Sequence, residues 1–342
     1  MYKLKNVLLG AMSFVGLSMV LSMALSSCGK GGTTTILGNW KIRSEFNGVA
    51  RSEAVSFVIG DSAFIGTGYD GTNRLSDMWE YQPAQNNWVQ KADFPGVPRQ
   101  SAVAFTLNNK GYVGTGYDGV NNYKDFYQYD PTANSWTRVA DFGGSARRDA
   151  VAFAISNKGY VSTGYDGNNL KDLWSYDDAS NTWNAEVGMG GFKREGAVAF
   201  VYNNKAYIVT GDNNGQTSTV NDLWMFDPTA NPTWTPKRSI TNVSTDSYDD
   251  GYTDITRTNA VVFVMGAYAY LTTGNNGAVM TSTWQYDIAN DVWASKTAYE
   301  GVAREGAVAF TVGDEGYVGT GRASNTPYDD FWALNDIEVS FE

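Results

Sequence analysis

The sequence predicts an all-β protein arranged as a closed ring of six four-stranded units. Three observations predict it. One motif, Arg-x-x-Ala-Val-x-Phe, begins at Arg51, Arg99, Arg147, Arg194, Arg257 and Arg304, in steps of 48, 48, 47, 63 and 47 residues. Self-similarity at this period marks an array of supersecondary units that stack on one another. The composition, 14% aromatic with 37 Gly in 342 residues, suits short strands joined by tight turns. Finally, the last unit lacks its fourth strand, and the segment before the first unit supplies a spare one.

Each element of the unit has its own signature. The motif that opens with Arg alternates small and large residues, as expected of a strand with one face in a narrow space. A polar turn follows, then a second strand ending in Thr-Gly: Thr67-Gly68, Thr115-Gly116, Thr163-Gly164, Thr210-Gly211, Thr273-Gly274 and Thr320-Gly321. Glycine there permits a sharp departure or a close backbone approach. The third strand carries Trp79, Tyr127, Trp174, Trp224, Trp284 or Trp332. An acid stands two residues before it (Asp77, Asp125, Asp172, Asp222, Asp330), except in the fifth unit, which has Ser282. The fourth strand carries Trp88, Trp136, Trp183, Trp234 or Trp293. Asp-Pro-Thr-Ala-Asn, at 130–134 and 227–231, supplies turn chemistry between the third and fourth strands. Trp40 stands 11 residues before Arg51, just as Trp88 stands 11 before Arg99. The stretch from about Ile36 to Arg43 is therefore expected to pair as the outer strand of the last unit, leaving no open edge. All eleven Trp occupy third- or fourth-strand positions. They are read as wedges between neighbouring units, where large apolar area is needed, rather than as sugar-stacking platforms.

This arrangement resembles the kelch-repeat β-propellers over residues 36–342, with Gly-Thr-Gly (Gly114-Thr115-Gly116) where a kelch repeat has a Gly-Gly doublet. The resemblance implies a six-bladed propeller whose last blade is closed by the N-terminal strand. Kelch propellers include galactose oxidase, whose copper site needs two His and a Tyr–Cys crosslink. This chain has no His, and its single Cys is Cys28. Copper oxidase chemistry is thereby excluded, as are an intrachain disulfide, a Cys/His metal centre and a Ser-His-Asp or Cys-His mechanism. No cofactor is expected.

Residues 1–27 form a separate address. Lys3 and Lys5 precede an apolar run from Val7 to Leu25, which ends in Leu25-Ser26-Ser27-Cys28. A basic n-region, an apolar h-region and small residues describe an export signal. The ending resembles a bacterial lipobox, which implies acylation of Cys28. Residues 28–35 read as acylated Cys and flexible tether. The expected location is the bacterial cell envelope, lipid-anchored, at the outer membrane facing the periplasm or the surface. The net charge of -11 argues against nucleic acid as a partner. The propeller is expected to be monomeric, with a glycan or an envelope protein as partner.

Candidate site residues cluster where fourth strands end and first strands begin. The six motif arginines, Arg51, Arg99, Arg147, Arg194, Arg257 and Arg304, are expected at one mouth of the channel. There they would bind an anionic group by forked hydrogen bonds, as in kelch proteins that grip acidic peptides. Alternatively each pairs with a carboxylate of its own or the next blade, for which Glu53, Asp149, Glu195, Glu305, Asp70, Asp118 and Asp166 lie nearby. The strand-two exits differ: Tyr69, Tyr117 and Tyr165 in blades one to three, Asn213 and Asn276 in blades four and five, Arg322 in blade six. Tyr with Asn and Asp is a sugar-binding palette, and Asp-Gly is also ordinary turn chemistry. Blade four carries an insertion: Trp234 and Arg257 stand 23 residues apart, not 11. Its Asp246, Asp249, Asp250 and Asp254 are calcium candidates, although their spacing departs from the EF-hand and a solvated acidic loop is the plainer reading. Three functions follow as expectations. The first is a non-catalytic module binding a glycan or protein through the arginine face. The second, by resemblance to the exported kelch propellers that are sialic acid mutarotases, is an enzyme. It would use Arg194 and Arg304 to grip a sugar carboxylate, and Glu195 or Glu305 as acid–base groups. The third is a structural part of an envelope complex.

Overall fold

The computed structural model describes residues 39–217 and 220–335. Cys28, the lipobox, the tether and Ile36 to Gly38 lie outside the described residues.

Six four-stranded antiparallel sheets form a six-bladed β-propeller. In blade one the strands run Val55–Ile59, Ser62–Gly66, Met78–Gln82 and Asn87–Lys91, from the channel outwards. Blades two to five repeat this order, and their inner strands (Val103–Leu107, Val151–Ile155, Val198–Tyr202, Val261–Met265) pack side by side around the axis. Blade six takes three strands from the C-terminal part (Val308–Val312, Glu315–Gly319, Phe331–Asn335) and its outer strand, Asn39–Ile42, from the N-terminal part. The register pairs Asn39 with Asn335 and Ile42 with Trp332. The closure expected from Trp40 is therefore present.

Aromatic packing explains the motif's Phe. In every blade it stacks on the cross-strand aromatic of the second strand, as in Phe57–Phe64 (5.2 Å) and Phe200–Tyr207 (4.8 Å). The same ring leans onto the next blade where that blade has Gly or Ala. A Cβ at Gly111 would stand 2.2 Å from the Phe57 ring, so at that position the ring would have to shift to admit a side chain. Fourth-strand Trp residues tie most blades to the one before: Trp136 Nε1 donates to the Ala92 carbonyl at 2.9 Å and Trp234 Nε1 to Val187 at 2.7 Å, whereas the buried Trp293 indole N–H has no such partner. Turn residues make a second tie. Asn134 and Asn181, both at positive φ, accept from the Tyr129 and Tyr176 hydroxyls and also from backbone N–H groups of the preceding blade.

One further ring lies closer to the axis. The second residue after each motif arginine (Glu53, Ser101, Asp149, Gly196, Asn259, Gly306) has φ between 52° and 61°. In that left-handed conformation its N–H donates to the same position in the preceding blade. The bonds run Ser101 to Glu53 (2.9 Å), Asp149 to Ser101 (3.2 Å), Gly196 to Asp149 (2.9 Å), Asn259 to Gly196 (2.9 Å), Gly306 to Asn259 (2.9 Å) and Glu53 to Gly306 (2.7 Å). This circle of backbone hydrogen bonds constricts the channel. Non-glycine residues there are costly, and the closed ring of bonds offsets that cost.

Candidate functional site: the channel mouth

The motif arginines are not at the ligand surface. All six are fully buried, and each guanidinium is committed within its own blade. Arg51 donates twice to Asp77 (2.6 Å each), once to the Thr67 carbonyl (2.9 Å) and once to the Val49 carbonyl (2.9 Å). Arg99 with Asp125, Arg147 with Asp172 and Arg304 with Asp330 repeat the forked pair. Arg194 pairs with Asp222. The expectation of an arginine ring open to anions is corrected by this geometry. Pairing prevails, but the partners are the acids before the third-strand aromatic, not those beside the arginines. Burial works to raise the Asp77 carboxyl, but the hydrogen bonds and charge of Arg51 outweigh it and hold it below the usual range. That acid also accepts the neighbouring indole, as in Trp79 Nε1 to Asp77 (2.7 Å) and Trp332 Nε1 to Asp330 (2.7 Å). Arg, Asp and Trp thus form one unit in blades one, three, four and six, while blade two has Tyr127 in place of the Trp and blade five Ser282 in place of the acid.

The fifth blade shows what the insertion does. Ser282 stands where the acid should be, and Arg257 donates to its hydroxyl (2.9 Å) and carbonyl (3.0 Å). Burial lowers the Arg257 guanidinium to about 10, with only the Asp254 carboxylate, 3.9 Å away, opposing. Asp254, from the inserted loop, accepts the Trp284 indole at 2.7 Å. Asp249 accepts the backbone N–H groups of Val243 and Ser244 at 3.0 and 2.9 Å. The four acids of the loop do not gather: no group of three or more such ligands able to hold a metal occurs among the described residues. Asp249 and Asp254 organise the loop instead.

What lies open is a polar cavity of about 350 Å³ above the backbone ring, walled by Glu53, Gln100, Ser101, Tyr117, Arg148, Asp149, Glu195, Asp212, Thr258, Asn259 and Arg322. Arg322 pairs with Glu53 (2.5 Å) and approaches Glu305 (3.6 Å). Arg148 meets Asp149 at 3.2 Å. Ser101 donates its hydroxyl to Glu53 at 2.8 Å. Burial, then the neighbouring Glu53, push the Asp149 carboxyl up to about 7, against the Ser101 hydrogen bond and the Arg148 charge. Burial chiefly raises Glu195 as well, and Asp212 adds to it.

The other expected residues divide. Tyr117 lines the cavity. Tyr69, Tyr117 and Tyr165 form an arc interleaved with Arg74 and Arg148, with guanidinium-to-ring distances of 4.5 Å (Arg74–Tyr69), 4.9 Å (Arg148–Tyr117) and 4.6 Å (Arg148–Tyr165). The cations cover ring faces that a sugar would otherwise use. Asp70 and Asp118 accept backbone N–H groups two and three residues on, which is turn chemistry. Asn276 is held by Thr256, and Asn213 accepts from Asn214. Glu305 accepts from Asn275 at 3.2 Å. Sequence reading missed Gln100, Ser101, Arg148 and Asn259 as wall residues. Their common signal is position: each stands one or two residues after a motif arginine.

No family model matches the chain, and no curated protein is similar to it in sequence. Among solved structures, that of YjhT superposes with a TM-score of 0.70 at 16% identity, covering 86% of this chain and 97% of that one. The likeness is one of fold, a six-bladed propeller.

Proposed function

We propose that this propeller is a binding module whose ligand seats in the channel mouth. The observation that carries the reading is the polar cavity over a closed floor: 350 Å³ falls within the size range of small-ligand pockets, and hydrogen-bonding groups converge on it from every blade. The structural arginines are committed, so carboxylates outnumber cations at the wall. That balance favours a neutral or cationic ligand group over an anionic sugar. The tests are a glycan array with neutral, amino, sialylated and uronic-acid sugars and a peptide panel, each run beside Asp149→Asn and Gln100→Ala variants. Binding that these variants abolish supports the reading; binding that they leave intact places the site elsewhere.

A second reading is an acid–base enzyme on a sugar. The raised Asp149, adjoined by Glu195, favours it, since a carboxyl near neutrality can give and take protons. Arg194 and Arg304 cannot serve as its substrate grip, being buried; Arg148 and Arg322 take that place in the proposal. Mutarotation assayed by NMR on the sugar that binds decides between the two. We also propose export and lipid anchoring through Cys28.

A further inference from the structure

The mouth face combines two features that belong together. Its cavity has four carboxylates against two guanidiniums on the wall. Arg322 is taken by Glu53 and Arg148 by Asp149. The Glu195 carboxylate has no hydrogen-bond partner among the described residues, only the charges of Arg148 and Asp212 around it.

On the same face four blades present an exposed apolar residue. The residue two places before each motif arginine gives its carbonyl to that arginine's Nε. Its backbone is therefore pinned, and its side chain faces outwards. Val49, Val97, Phe192 and Val302 hold this position at 55, 44, 42 and 53% exposure. In the fifth blade the equivalent Ile255 is buried at 1% beneath the insertion, which presents Val243 at 63% instead. Scattered exposed apolar residues are ordinary. Here they recur at one fixed backbone position in four of the six blades, with the exposed Ser145 at that position in blade three. Apolar contacts laid around a charged pocket would exclude water from it and so strengthen a charge pair formed inside.

We infer that the mouth face docks a protein partner that inserts a Lys or Arg side chain towards Glu195 and lays flanking apolar residues on those exposed side chains. This rests on the mouth being the binding site. An inserted carboxylate would add to the four carboxylates of the wall, whose two guanidiniums are already paired with Glu53 and Asp149, whereas an inserted ammonium or guanidinium would give Glu195 the hydrogen bonds it lacks.

The test is selection of a random peptide library on the full chain in detergent, followed by affinity measurements. The expected winners carry one Lys or Arg flanked by apolar residues. Glu195→Gln should weaken them on the order of thirtyfold or more, as loss of a desolvated charge pair does. Phe192→Ser, at one of the exposed apolar positions, should weaken them too, with the thermal midpoint of each variant measured to show an intact fold. Winners that are acidic, or indifferent to Glu195→Gln, overturn the inference. Should glycans bind in a mouth-dependent way while no basic peptide is enriched, the mouth reading survives and the protein partner falls. Winners indifferent to Glu195→Gln, Asp149→Asn and Phe192→Ser alike would remove both.

Discussion

At the scale of the residue, the repeated arginine is a structural keystone of each blade. In four blades a forked bond to the acid before the third strand, and in all six a bond to the Thr carbonyl, join the start of the first strand to the exit of the second and the entry of the third. A buried ion pair of this kind contributes little relative to apolar packing, but breaking one member leaves a buried charge alone. Asp125→Asn should therefore destabilise the protein by about 3–5 kcal/mol, read from urea unfolding followed by Trp fluorescence. A loss below about 1 kcal/mol would mean that the pair behaves as an exposed one. Asp149 gives the opposite kind of prediction. An aspartyl group ordinarily titrates near about 3.9, and in the fold it is pushed up to about 7. The folded chain thus retains a proton that the unfolded chain has released, so this group's contribution to stability falls as pH rises across that window. Asp149→Asn should flatten the profile and be more stable than the parent above the window. A variant with the parent's pH dependence would show that the carboxyl ionises normally.

At the scale of the element, the outer strand of blade six is the decisive one. Asn39–Ile42 covers the edge of Phe331–Asn335, and Trp40 packs on Phe263 and Tyr299 of blade five. Trp40→Ala should cost about 3–5 kcal/mol. Deleting residues 29–45 should lower the thermal midpoint of the whole propeller, because an open edge strand remains. An unchanged midpoint would refute closure as a source of stability. The inserted loop is a second informative element. Because Asp254 replaces the missing acid at the Trp284 indole, Asp254→Ala should destabilise more than Asp246→Ala in parallel thermal unfolding. Equal effects would remove the compensating role.

At the scale of the whole molecule, the direction of the closing strand sets which way the mouth points. Asp330, beside the start of Phe331–Asn335, binds Arg304 at the mouth, and Asn39 pairs with Asn335 at the far end. The N-terminal strand therefore enters from the face opposite the mouth. If Cys28 is acylated, as proposed, a fluorophore at Asn204, on the face opposite the mouth, should be quenched by lipid-borne quencher more than one at Val120 on the mouth. The reverse ranking would sink the orientation. Cys28→Ala should release the protein from membranes, and persistence there by acylation-independent means would refute the lipid anchor.

By itself, the sequence determined the architecture of this protein, because a propeller repeats one local solution six times. Period, strand alternation and the position of Trp40 gave blade number and closure directly. The absence of His likewise settled which chemistries are closed to it. Only the tertiary structure decided what the repeated arginines do. Their partners lie 25 to 28 residues away, across strands, and a carboxylate one residue away in sequence was a tempting but wrong neighbour. The backbone ring was equally hidden, since it needs all six blades in place before any of its bonds can form. The mouth wall followed from that ring, which turns the residues beside each arginine towards the axis while the arginine itself is buried. Repetition made the scaffold legible, whereas the site arises from non-equivalent residues that come together only when the circle closes.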